Sequence, residues 1–222
     1  MQTKKKKPKM TYDQCVEFAK SLQPFDMFFV QSGDLTGAMI QWATGNRDGF
    51  DANHVGIYLG EGIGRTLEAD GKAVEYHLIS DYFPKLQSGD TRLKIYRINA
   101  LTVPETEDMK VVVKAQYKKP YSQVINGFFG VWGIVNKIIP AAGWLMGKLR
   151  NPGVKHAKDG SLENYVCSIS ACEVWLGNKR VKPTLLDKAL ENRTPENLFN
   201  SVNNSPVAGQ AVDTLAIAYN NA

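Results

Sequence analysis

The sequence predicts an α+β fold, an antiparallel central sheet packed on helices. Three observations carry that expectation. Residues 92–98 (RLKIYRI) alternate polar and apolar, as a half-buried strand does. Residues 54–59 (HVGIYL) and 65–69 (RTLEA) are short, rich in β-branched and aromatic residues and separated by glycines. Helix-start patterns of the form T-x-x-Q and T-x-x-E recur at Thr11 and Thr102, each followed by apolar residues at helical spacing. With 222 residues and 43% hydrophobic content, the chain has enough apolar surface for a proper core.

The formal charge of +5 is misleading until it is located. Lys4, Lys5, Lys6, Lys7 and Lys9 supply five positive charges; without them 22 basic residues face 22 acidic ones. A near-neutral body argues against a broad or specific nucleic-acid interface. Residues 1–10 read as a disordered basic arm, whose sharper role is a weak electrostatic contact with an anionic surface through Lys4 to Lys9. No apolar run follows Met10, so no signal peptide is expected, and the expected location is cytoplasmic or virion-associated. Cys15, Cys167 and Cys172 do not form a disulfide framework and read as free thiols. With only His54, His77 and His156, no CxxC and no HxxxH, neither a zinc site nor another cofactor is expected.

In chain order, Thr11 caps a first helix with Val16, Ala19 and Leu22 on its inner side, ending before Pro24. Residues 26–30 (DMFFV) read as the first strand. Leu35, Ala38, Met39 and Trp42 recur at helical spacing and read as core packing, and 45–53 is a Gly-rich loop. The strands at 54–59 and 65–69 follow, and 72–77 adds another; residues 82–84 end a short helical turn. After the strand at 92–98, Pro104 falls in the first turn of a helix running to about Tyr117.

Residues 124–149 approach the apolar density of a membrane span, but Asn126, the Asn136 and Lys137 pair and Pro140 interrupt them. A buried helical hairpin is the reading for this insert (about 121–149), with a lid, substrate channel or membrane-contacting surface as alternatives; a transmembrane helix is not expected. Cys167 to Leu176 reads as a helix with Val174 and Trp175 inward, and Thr184 and Thr194 open two more. Residues 11–200 are thus read as one domain, and 201–222 as a small, polar tail, ordered poorly or only by a partner.

Three residues carry chemistry. Cys167 follows a polar loop and opens a helix, where unpaired N–H groups and the helix dipole favour a thiolate. His54 opens a strand and can take the thiol proton; Glu68, on the next strand in an apolar context, can hold the other ring nitrogen. Singly, each has a plain structural alternative: a strand histidine, a packed cysteine and a surface glutamate. Cys172 lies five residues on, about 140° around the helix, so both thiols cannot face His54.

Phe25-Asp26, the stretch 35–42, Asn53 to Gly56, Leu67 to Ala69, Lys119 to Tyr121 and Tyr165 to Ser168 occur in an order that resembles the circularly permuted, papain-like cysteine hydrolases of the NlpC superfamily, in the YiiX-like branch. The resemblance spans roughly residues 24–200 and rests on order and spacing rather than on any single motif. It implies a permuted papain-like fold with Cys167 as nucleophile, His54 as base and Glu68 as orienting acid. Three positions depart from the pattern: Phe25 where the family has Gly, Asn53 where it has Ser, and Ile169 where Glu is frequent.

The expected function is a thiol hydrolase, amidase or endopeptidase, working through an acyl-enzyme on cell-wall peptide or another amide. Such an activity would suit a bacterial or bacteriophage-encoded protein. A lipid amide or ester hydrolase or acyltransferase is the first alternative, mildly favoured by the apolar insert. The second is a non-catalytic virion structural protein that keeps the fold, with the basic arm and the tail as assembly contacts.

Overall fold

A computed structural model describes residues 9–32, 50, 52–60, 64–122, 162–163, 165–181 and 194–219. Two layers of helices cover a six-stranded sheet. Its strands are β1 (Met27–Ser32), β2 (His54–Tyr58), β3 (Arg65–Ala69), β4 (Val74–Leu78), β5 (Thr91–Ile98) and β6 (Ala208–Asp213). Their order is β4-β3-β2-β1-β5-β6, and every neighbouring pair is antiparallel. The helices are α1 (Tyr12–Ser21), α2 (Phe83–Ser88), α3 (Val103–Gln116), α4 (Cys167–Leu176), α5 (Pro195–Asn203) and α6 (Thr214–Tyr219). The predicted α+β arrangement is therefore what the chain adopts.

Side chains alternate across the sheet. Met27, Phe29, Val55, Ile57, Leu67 and Tyr96 join the larger core, which α4 closes with Ile169, Val174 and Trp175. Phe28, Val30, Tyr58, Leu93 and Ile95 face the other way, onto α1 and Tyr82. The expected inner stripe of α1 is shifted: Cys15, Phe18 and Leu22 are buried, whereas Val16 and Ala19 are half-buried. Phe18 has more surface to hide than either and sets the rotation. Both capping boxes form, Thr11 with Gln14 and Thr102 with Glu105.

Two expectations are corrected. Pro84 does not end a helical turn; a 3₁₀ turn at Ile79–Tyr82 runs into α2 with Pro84 in its first turn, where its missing N–H costs nothing. Nor are residues from Ser201 a poorly ordered tail, because they supply β6 and α6. Arg92 grips the Asp213 carboxylate with its fork, Nε at 3.0 Å. The Thr214 hydroxyl accepts from Leu93 N at 2.9 Å and donates to its carbonyl. The expected helices near 35–42 and 184 and the apolar stretch 124–149 lie outside the described residues. No helix among those described is long and apolar enough to cross a membrane.

Phe25, just before β1, has φ 69°, a left-handed backbone that costs a side-chain-bearing residue on the order of 1–2 kcal/mol. Its N–H bonds to Tyr58 O at 2.6 Å, and its carbonyl accepts from Trp175 Nε1 at 2.9 Å. The backbone here serves β2 and α4 at once.

Candidate active site

His54 is the first residue of β2 and Glu68 lies on β3, and both point to the face opposite α4. The residue between them in space is Gly56. A Cβ there would stand 2.8 Å from Glu68 Cγ and 2.9 Å from Phe28 Cε1. The Phe28 ring tip, Cζ, would be nearer still, so the missing side chain leaves room for both the Phe28 ring and the Glu68 stem. Glu68 Oε2 accepts from His54 Nε2 at 2.7 Å. That leaves Nδ1 for the third member.

Cys167 comes from the other core and meets His54 at the end of β2, where its thiol stands close enough to act on the imidazole. A backbone relay brings it there. The stretch 118–121 pairs with the start of β4, with Lys118 N on Val74 O and Val74 N on Lys119 O, both 2.8 Å. Residues 120–122 then pair with Tyr165, through Tyr165 N to Pro120 O at 3.0 Å and Ser122 N to Tyr165 O at 2.8 Å. Cys167 follows two residues later as the first residue of α4. Its helix is tied to α3 by buried Gln116, which donates to Ser170 O and Glu173 and accepts from the Ser170 hydroxyl. Val166, the N-cap, has no side-chain acceptor to offer the first-turn N–H groups.

The loop entering β2 is equally fixed. Asn53 donates from Nδ2 to the Ser32 carbonyl and hydroxyl, both at 3.1 Å. Buried Glu196 on α5 accepts the Ala52 N–H at 3.0 Å. Asn53 thus clamps the end of β1 immediately beside His54.

Burial alone would hold the His54 imidazole neutral. The Cys167 thiolate and the Glu68 carboxylate outweigh it and push His54 up to about 10. Burial alone would raise the Glu68 carboxyl, but hydrogen bonds from His54, Thr66 and Tyr82 bring it below its usual value. The Thr66 hydroxyl donates to Oε1 at 2.6 Å and the Tyr82 hydroxyl to Oε2 at 2.7 Å. The arrangement favours a protonated imidazole beside an ionised Glu68.

The structure thus brings His54, Glu68 and Cys167 together from three distant segments. Sequence reading missed Thr66 and Tyr82. Thr66 had a signal, since a strand residue two before Glu68 shares its face; Tyr82 had none. Cys172 is fully buried within α4 and Cys15 within α1. Among the described residues, one group could share a cation: Asp70, Glu75 and His77, whose ligand atoms lie within 4.8 Å of one another. The two carboxylates are exposed, and His77 Nε2 stands 3.3 Å from Asp70 Oδ2.

No family model matches the chain, and no curated protein does. Among solved structures, the chain is similar to the metalloprotein YiiX of Escherichia coli O157:H7, at 17% identity and a TM-score of 0.45. The alignment covers 86% of this chain and 96% of that one. At that score the likeness assigns no role to any residue here.

Proposed function

We propose that this chain is a thiol hydrolase of permuted papain-like type, cleaving an amide or related acyl bond through an acyl-enzyme. Cys167 is the nucleophile, His54 the base and Glu68 the orienting acid. The observation that carries the reading is that three segments bring Cys167, His54 and Glu68 together, with His54 Nε2 on Glu68 Oε2 at 2.7 Å and the thiol beside the imidazole at a helix start. A packed, inert cysteine needs neither an imidazole nor a buried carboxylate behind it.

The steps follow from the geometry. Cys167 gives its proton to His54 Nδ1, and the thiolate adds to the substrate carbonyl carbon. Backbone N–H groups at the start of α4 face the developing oxyanion. The C–N bond breaks as the imidazolium returns its proton to the leaving amine, leaving a thioester on Cys167. His54 then takes a proton from water, whose oxygen attacks the thioester carbon. Release of the acid regenerates the thiol. Glu68 accepts the Nε2–H bond throughout and keeps the ring in one tautomer.

Cell-wall peptide is the first substrate class to test, and lipid amides or esters the second. The full chain is incubated with each, and both the products and the mass of the intact protein are read. The expected results are a product in one class, an acyl adduct on Cys167, and loss of both in Cys167→Ala. Turnover that survives Cys167→Ala overturns the reading.

A further inference from the structure

Glu68 carries more donors than a His–Glu pair needs. Glu68 is 5% exposed, and three groups point at its two carboxylate oxygens. His54 Nε2 is one, at 2.7 Å. The other two, the hydroxyls of Thr66 and Tyr82, have no part in the chemistry proposed above. We infer that Tyr82 and Thr66 are positioning residues, whose hydroxyls together hold the Glu68 carboxylate as a fixed acceptor for His54. This rests on the thiol-hydrolase reading and adds two residues to it.

Each hydroxyl is held in place by its surroundings. Thr66 is fully buried two residues before Glu68 on the same face of β3. Tyr82 ends the 3₁₀ turn and arrives from outside the sheet. That turn is pinned by Leu78 N on Asp81 Oδ2 at 3.2 Å and by Ile79 N on Gly64 O at 2.9 Å. The Tyr82 ring stands edge-on to Phe28, with centroids 5.7 Å apart and planes at 72°. Burial and then the Glu68 charge raise the phenol well above its usual value, so it stays a donor. Tyr82 is buried, with its ring packed in the smaller core.

The charged surroundings of Glu68 leave this work to the hydroxyls. Across from it on β4 stands Glu75, in register and exposed, with His77 opposite Thr66. Asp81 lies behind Tyr82, Lys85 stands over the Tyr82 ring at 5.9 Å, and Cys167 lies beyond His54. No Lys or Arg among the described residues forms an ion pair with Glu68. Its negative charge is therefore held by His54 and by two neutral donors. Losing either donor raises the carboxyl. Once Glu68 takes a proton, a buried imidazolium has lost an anion and gives its own proton to the thiolate. Nucleophilicity at Cys167 should then disappear at the pH where Glu68 protonates.

The test is the rate of iodoacetamide alkylation of the full chain, read at Cys167 by peptide mass across pH 4 to 9. Tyr82→Phe keeps the ring and removes one donor; Thr66→Val removes the other. Each is expected to move the acid limb up by roughly one pH unit, so alkylation on the limb slows about tenfold. At pH 7.5, where Glu68 is still ionised, the slowing should be smaller than on the acid limb, so that the ratio of variant to unaltered rate changes with pH. Where Tyr82→Phe fails to fold, Thr66→Val carries the test alone. Acid limbs that superimpose on that of the unaltered protein overturn the inference while leaving Cys167 as nucleophile. A Cys167 that labels no faster than an ordinary free thiol in the unaltered protein overturns the hydrolase reading and this inference with it.

Discussion

Adding one methyl group at Gly56 should reverse the usual sign of a glycine-to-alanine exchange. In a strand, alanine ordinarily gains roughly 0.5–1 kcal/mol over glycine, by removing backbone freedom from the unfolded chain. Gly209 on β6 is the matched control, because a Cβ there has nothing nearer than Asn99 Oδ1 at 4.0 Å. At Gly56 the same atom meets Glu68 Cγ at 2.8 Å and Phe28 Cε1 at 2.9 Å. Phe28 is fully buried and Glu68 nearly so, and neither has solvent to retreat into. Overpacking of this kind costs about 1–3 kcal/mol. Set against the ordinary gain, Gly56→Ala should lose about 1–2 kcal/mol while Gly209→Ala gains a few tenths or more. Urea titration gives both numbers as midpoint shifts at constant slope. The displaced Glu68 should also loosen its 2.7 Å bond to His54, so alkylation of Cys167 should slow in Gly56→Ala and stay unchanged in Gly209→Ala. A Gly56→Ala protein at least as stable as its parent, with Cys167 equally reactive, would refute the steric account of how Glu68 reaches His54.

Near neutral pH, iodoacetamide should alkylate Cys167 well before Cys172, and Cys172→Ala should leave turnover intact while lowering the unfolding midpoint. Phe25→Gly should be more stable than Phe25→Ala by about 1 kcal/mol, the reverse of the usual order, because φ there is 69°; equal melting midpoints would contradict that left-handed strain. His54 is held above its ordinary value of 6.5, at about 10, so its contribution to stability is complete below 6.5 and lost as the pH climbs toward 10. Glu68 is held below its ordinary 4.5, so its contribution is present above 4.5 and lost as the pH falls further. Urea midpoints should therefore decline on both sides of the interval 4.5 to 6.5, and His54→Gln should flatten the alkaline side.

The parts of the molecule legible in the sequence are those set by neighbours in the chain. Thr11 with Gln14 and Thr102 with Glu105 mark helix starts through side chains three residues away. β3 and α4 begin and end where local pattern puts them, and His54 and Cys167 each open an element as the pattern around them predicts. What escaped is set by partners far along the chain. β6 (AGQAVD) has little strand propensity of its own and becomes a strand by pairing with β5. The contacts that hold it, Arg92 with Asp213 and Leu93 with Thr214, each join residues 121 positions apart. Tyr82 reads as one more apolar residue of a short helix until β3 is folded beside it. Pro84 looked like a stop because the 3₁₀ turn before it gives no local signal.

The pairing of residues 120–122 with Tyr165 has a consequence for how this chain can change. Those backbone bonds, 2.8 and 3.0 Å long, hold residues 122 and 165 side by side and fix Cys167 from the sheet. Whatever the chain does between them is an excursion that leaves and returns at one place. Ring closure depends only weakly on length, with each doubling costing about 0.6 kcal/mol. The length of the stretch from 123 to 161 therefore weighs little on the closure that brings residues 122 and 165 together. The position of Cys167 is thus written into the sheet side of the chain, through Pro120, Ser122 and Tyr165, rather than into the length of what joins them.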